Sequence, residues 1–83
     1  MDDIKKRIIY RSQYRGCKET DYLLGKFIQD KIEKFDKAEL NIFNKLLEEN
    51  DNNIYDWIMG RLDIPDHYYK LLMDIKEYHN LSN

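Results

Sequence analysis

Residues 15–21 read RGCKETD: a cation, a glycine, a thiol, a second cation, and two carboxylates flanking a threonine. A run this dense has four readings: a metal nest, an active site, a helix cap, or a surface shaped for another protein. A metal site would draw on Cys17, His67 and His79, yet there is no Cys-x-x-Cys and no histidine pair at helical spacing. The two histidines stand twelve residues apart on one expected helix and cannot converge locally. Glu19 and Asp21 are two residues apart, on different faces of a helix, a poor geometry for a cooperating acid and base. Cys17 adjoins Lys18 near a helix N-terminus, and both favour a thiolate. No histidine lies nearby in sequence to complete a nucleophilic pair, and there is no Gly-x-Gly-x-x-Gly or Walker loop. Neither a bound metal nor independent catalysis is expected.

Capping explains three of the seven residues. Gly16 can turn left-handed at little cost and stop a helix. Glu19 and Asp21 suit the positive end of the dipole of the helix that follows. Arg15 would pair with Glu19 across the corner, a contact worth little if exposed. What capping leaves unexplained lies just upstream. On a helical wheel Arg7, Tyr10, Arg11 and Tyr14 cluster, with Ile4 and Ile8 adjoining, so basic and apolar residues share one side. Either the arginine stems snorkel along the core edge, or this side is a docking face, since Arg and Tyr are favoured at protein interfaces.

These residues must be positioned by a helical frame. One proline and three glycines punctuate 83 residues, and no stretch alternates cleanly enough for a strand. A first helix is expected from Asp2 to Tyr14, with Asp2 and Asp3 at its positive dipole end. A second starts near Cys17–Thr20 and carries the stripe Leu24, Ile28, Ile32 and Phe35, with Leu23 and Phe27 beside it. Asp36 begins a third, Glu39 completing an Asp-x-x-Glu capping box, and buries Leu40, Phe43, Leu46 and Leu47. Asp51 is the expected cap of a short fourth helix that buries Ile54, Trp57 and Ile58 and ends near Gly60. Pro65 suits the first turn of a fifth helix, striped by Tyr68, Leu71, Leu72, Ile75 and Tyr78. His79, near the end of that helix, is a favourable partner for its dipole. The loops are short, so consecutive helices must pack as antiparallel or crossed neighbours. The fold class is all-α: residues 1–83 as one compact single-domain bundle of about five helices.

Composition narrows the function. Apolar residues make up 42% and charged residues 36% of the chain, so it can fold and stay very soluble. One domain of this size buries only about 60–68% of its unfolded surface, which disfavours a deep enclosed pocket. Residues 1–18 hold six bases against two acids, a net of +4, and the remainder eight against fourteen, a net of −6. A basic arm on an acidic body points to an oriented electrostatic contact. The competing reading is a small helical adaptor that binds nucleic acid through Arg7, Arg11 and Lys18. Its affinity would fall steeply with salt, and the acidic body argues against it. A single cysteine suits a reducing compartment. The chain has no ~20-residue apolar run and no signal-peptide core. Together these imply a cytoplasmic protein without membrane insertion.

The stretch RGCKETDYLLGKF resembles the Arg-Gly-x-x-Glu signature of the small flavinylation factors of succinate dehydrogenase. In the bacterial branch that signature continues as x-Asp-x-x-Leu-x-x-Phe, matched here by Arg15, Gly16, Glu19, Asp21, Leu24 and Phe27. FNKLLEENDNNIYDWIMG is similar to a second block of the family through Leu46, Leu47, Asp51, Tyr55, Asp56, Trp57 and Ile58. Pro65 and an apolar helix ending in Tyr78-His79 match the usual tail. Cys17 occupies a variable position of the motif. The long presequence of mitochondrial relatives is absent, which favours a bacterial cytoplasmic protein.

The resemblance implies a chaperone-like assembly factor of respiratory complex II that is not itself an enzyme and binds no cofactor stably. It implies binding to the immature flavoprotein subunit of succinate dehydrogenase, and in some bacteria to that of fumarate reductase. There it would promote covalent attachment of FAD to a histidine of that subunit. The expected partner-binding residues are Arg15, Gly16, Glu19 and Asp21 of the motif, with Arg7 and Arg11 of the basic face. On this reading Gly16 permits close backbone approach, and Arg15 and Glu19 offer opposite charges on either side of it. Replacing Arg15 or Glu19 is expected to spare the fold, whereas Trp57 belongs to the core.

Overall fold

In the computed structural model, which describes residues 3–81, the chain forms five α-helices. They are α1 (Asp3–Gln13), α2 (Lys18–Lys31), α3 (Lys37–Leu46), α4 (Asp51–Met59) and α5 (Asp66–Tyr78), with a 3₁₀ turn over Ile32–Lys34. No strand occurs among the described residues, and no helix there is long and apolar enough to cross a membrane.

α2 is the central element and packs against α1, α4 and α5. Its inward face buries Leu23, Leu24, Phe27 and Ile28, with Ile32 just beyond. Gly25 allows α1 to cross closely: a Cβ there would stand 3.0 Å from Cγ and 3.7 Å from Cα of Gln13. Phe35, expected on the helical stripe, lies past the helix. Asp36 must adopt extended backbone (φ −82°, ψ 178°) to cap α3, so the chain unwinds through the 3₁₀ turn and Phe35 is itself extended. Phe35 still reaches the core, where its ring centroid lies 6.0 Å from Phe27 and 6.2 Å from Phe43.

The helix ends follow local chemistry. The capping box of α3 is complete: the Glu39 N–H donates to Asp36 at 2.8 Å and the Asp36 N–H donates to Glu39 at 2.9 Å. The cap of α4 is Asn50, whose side-chain oxygen accepts from the Asn52 N–H at 2.7 Å, and not Asp51 as expected. Asp51 is the first helical residue, and its carboxylate is engaged elsewhere. Gly60 ends α4 at φ +79°, a left-handed conformation, while the Arg61 N–H donates back to the Asp56 carbonyl at 2.8 Å. Pro65 sits at the N-cap of α5, one position before the first turn. α1 ends at Gln13, with the Tyr14 N–H still donating to the Tyr10 carbonyl at 3.2 Å. The expected start at Asp2 lies outside the described residues.

The remaining core is Ile8 of α1, Phe43, Leu46 and Leu47 of α3, Ile54, Trp57 and Ile58 of α4, and Tyr68, Leu72 and Ile75 of α5. Tyr68 combines burial with a polar tip: it is 1% exposed, and its hydroxyl donates to the Glu49 carboxylate at 2.7 Å. Desolvation first, then the bond to Glu49 and the charges of Glu49 and Glu48, push the phenol pKa far above 10. The folded state therefore holds this proton more tightly than the unfolded chain. Its contribution to stability is complete below pH 10 and is lost as pH rises above 10. Tyr68→Phe is expected to cost about 1 kcal/mol at pH 7 and to flatten the alkaline loss; urea midpoints of both proteins at pH 9 and pH 11 check this.

Candidate docking site

The α1–α2 corner is built by turning two motif side chains inward. Arg15, between the helices, lays its guanidinium against the α3–α4 turn. Its Nη1–H donates to the Leu47 carbonyl and its Nη2–H to the Glu49 carbonyl, both at 2.7 Å. Its Nε–H donates to the Asp51 carboxylate at 2.5 Å, in an ion pair whose side chains are 10% and 26% exposed. The cation thus lies at the carbonyl end of α3 and its partner at the amide end of α4, the favourable placement of each charge against the helix dipoles. The expected Arg15–Glu19 pair does not form, because Arg15 reaches three acceptors at once. The expectation that replacing Arg15 spares the fold is corrected on the same ground: the side chain ties two corners of the molecule together.

Asp21 is the second inward group. Its carboxylate accepts the Arg15 backbone N–H at 2.7 Å, closing the corner from the α2 side while standing in the first turn of α2. Between these anchors Gly16 adopts φ +103°, where an L side chain is strained. A Cβ there would meet nothing within 4 Å. Conformation therefore requires this glycine, and the corner is open on its outer side.

What the corner presents is Gly16, Lys18 and Glu19, all exposed. Cys17, half-buried, heads α2 without a side-chain cap and makes only a weak 3.5 Å thiol contact to Glu19. Thr20 is fully buried, and its hydroxyl has no hydrogen-bond partner among the described residues. Thr20→Val keeps the volume and removes the orphaned hydroxyl, so the variant is expected to be about 1 kcal/mol more stable, read as a raised urea midpoint.

The residues of the basic face of α1 divide between the fold and the exposed surface. Arg11 is half-buried and donates to the Asn44 side-chain oxygen at 2.8 Å, so it works within the fold. Arg7 is exposed, with no ion pair or hydrogen bond among the described residues. Ile8 is core, whereas Ile4 is 62% exposed. Tyr10 and Tyr14 stand 65% and 67% exposed with ring centroids 4.7 Å apart, a preformed aromatic pair leading into the corner. With Arg11 engaged by Asn44, the three-cation face that nucleic-acid binding needs is reduced to Arg7 and Lys18.

The histidines lie away from this corner's chemistry. The His67 ring lies tilted against that of Tyr68, centroids 4.0 Å apart, and His79 caps α5 with Nε2 2.8 Å from the Leu23 carbonyl. Among the described residues no group of three or more His, Cys, Asp or Glu side chains could hold a metal ion.

The molecule is a small helical bundle whose α1–α2 corner exposes a glycine and a carboxylate, with an exposed aromatic pair leading into it. Comparison with known proteins gives the family. The chain belongs to the family described as "Flavinator of succinate dehydrogenase", which matches residues 6–79. It is 29% identical over 79 residues to "Succinate dehydrogenase assembly factor 2, mitochondrial" of Dictyostelium discoideum, covering 95% of this chain and 56% of that protein. It is 33% identical over 82 residues to the protein of the same name in Schizosaccharomyces japonicus, covering 96% and 57%. It is 34% identical over 62 residues to "FAD assembly factor SdhE" of Acetobacter pasteurianus, covering 75% and 57%. The chain thus spans little more than half the length of these curated relatives. No solved structure matches it.

Proposed function

We propose that this protein is an assembly factor for the flavoprotein subunit of succinate dehydrogenase. On this reading it binds the immature subunit in the cytoplasm, and in bacteria that carry fumarate reductase the corresponding subunit of that enzyme. It promotes covalent attachment of FAD to a histidine of the client. The observation that carries the reading is the division of labour within the family motif. Arg15 and Asp21 fix the corner from inside, and Gly16 and Glu19 face outward beside Tyr10 and Tyr14.

The chemistry stays on the client. The covalent bond would be made between the client's histidine and FAD; the factor would hold the flavin-binding domains in the bond-forming arrangement, contributing positioning and not a reacting group. FAD is held by the client and not stably by this chain. With Arg15 neutralised internally, the outward charge that selects orientation is the Glu19 carboxylate, set against Lys18 and Arg7. The exposed tyrosines add contact area at low side-chain entropy cost.

The test is covalent flavin on the flavoprotein subunit, read by in-gel flavin fluorescence after co-expression with the wild type, with Glu19→Ala, or with neither. Glu19 is exposed and makes only the weak thiol contact, so its replacement should change stability by less than about 0.5 kcal/mol. Fluorescence is expected with the wild type and a loss of tenfold or more with Glu19→Ala, whose circular dichroism stays native. Equal fluorescence in all three, at matched free FAD and dicarboxylate, would reject the proposal.

A further inference from the structure

We infer that Asp51 is a positioning residue for the docking corner, acting through Arg15 from 36 positions away in sequence. The inference rests on the docking role proposed for Gly16 and Glu19. The geometry that carries it is a chain of hydrogen bonds across three segments. Asp21 holds the Arg15 backbone N–H. The Arg15 guanidinium holds Asp51 and the Leu47 and Glu49 carbonyls. Tyr68 of α5 holds the Glu49 carboxylate from the other side. The α3–α4 turn is therefore gripped at both flanks, and the α1–α2 corner is registered against it and not only against its own helices.

Asp51 is the one anionic acceptor in this set for the guanidinium, since the other two acceptors are neutral carbonyls. Its pair is charge-assisted, mostly shielded from solvent and oriented by a planar fork, so it fixes direction as well as distance. Without it, the Arg15 head can rotate away from the turn, and the left-handed Gly16 backbone next to it loses one of its two anchors. The corner then samples several conformations, and only a fraction of molecules present Glu19 in the form that docks. Affinity falls in proportion to that fraction.

The experiment compares the wild-type chain, Asp51→Ala, Asp51→Asn and Ile54→Val, well below their melting temperatures, for affinity to the succinate dehydrogenase flavoprotein subunit. Backbone amide resonances of each free protein are recorded alongside. Ile54 is buried one turn further along α4, and its valine variant is a control for simple destabilisation. Asp51→Ala is expected to weaken binding about tenfold and to shift or broaden the Gly16 and Glu19 amides. Asp51→Asn, which keeps an oxygen acceptor for the Nε–H but loses the charge, recovers only part of the affinity. Ile54→Val leaves both readouts at wild type. The inference is overturned if Asp51→Ala binds like wild type, or if Ile54→Val weakens binding as much. It is also overturned if the Gly16 and Glu19 amides do not respond to Asp51→Ala. Failure of the wild type itself to bind rejects the docking reading, a separate result.

Discussion

Arg15→Ala is expected to destabilise the domain by about 2–4 kcal/mol, and Arg15→Lys by an amount close to it. Alanine removes three hydrogen bonds, one of them charge-assisted, and leaves the Leu47 and Glu49 carbonyls and the Asp51 carboxylate without their donor. Hydrogen bonds to charged groups are worth about 1.5–3 kcal/mol, and removing one partner of a shielded ion pair costs up to about 3–5 kcal/mol. The lower part of the combined range applies because Asp51 is 26% exposed and regains some water. Lysine keeps the charge but cannot present three donors in one plane to three acceptors. Urea denaturation of the two variants checks this: both midpoints fall, with alanine lowest, while Glu19→Ala melts with the wild type. If Arg15→Lys matched the wild type, charge alone would suffice and the planar fork would be irrelevant. For a domain of this length, whose whole stability is about 4–12 kcal/mol, the loss is large. On the proposed function, a flavinylation defect in an Arg15 variant would therefore report on folding before it reported on docking.

Trp57→Ala carries the largest expected effect, about 3–5 kcal/mol. Trp57 is 6% exposed between the fully buried Ile54 and Ile58, and its ring lies 5.7 Å from that of Tyr68. Truncation opens a cavity beneath α4 and α5 and removes the packing that holds Tyr68 in place, and with it the bond from Tyr68 to Glu49. The variant should be largely unfolded at 37 °C and show a shallow, early thermal transition by circular dichroism. Trp57→Phe, which keeps most of the ring volume, should recover more than half of the loss. A Trp57→Ala protein with a native transition would mean that the indole is not part of the core.

These two residues show how far the sequence reaches. Trp57 was legible as core because burial on a helix repeats every three to four residues, and Ile54 and Ile58 declare the inward face. The capping box at Asp36 and Glu39 was legible because its partners lie three residues apart. The wheel grouped Arg7, Tyr10, Arg11 and Tyr14 but left open whether they edge the core or face outward, and the family pattern marked Arg15, Gly16, Glu19 and Asp21 alike. Phe35 and the α4 cap were misplaced by a residue or a turn, because neighbouring caps compete for the same few backbone positions.

Which way the motif's charged side chains turn was decided only by the tertiary structure. A helical period says which face a residue occupies, but Arg15 stands between helices and its stem reaches in any direction. Its acceptors are supplied by residues 32–36 positions later, at carbonyls that become unsatisfied only because α3 ends there. Two free carbonyls and a carboxylate in one partly buried place outcompete a solvated Glu19, and Arg15 turns inward. That choice leaves Glu19 and Gly16 as the outward part of the motif. By itself the sequence determined five helices, their buried stripes and the family; packing of α3 and α4 against the α1–α2 corner decided which motif residues face outward.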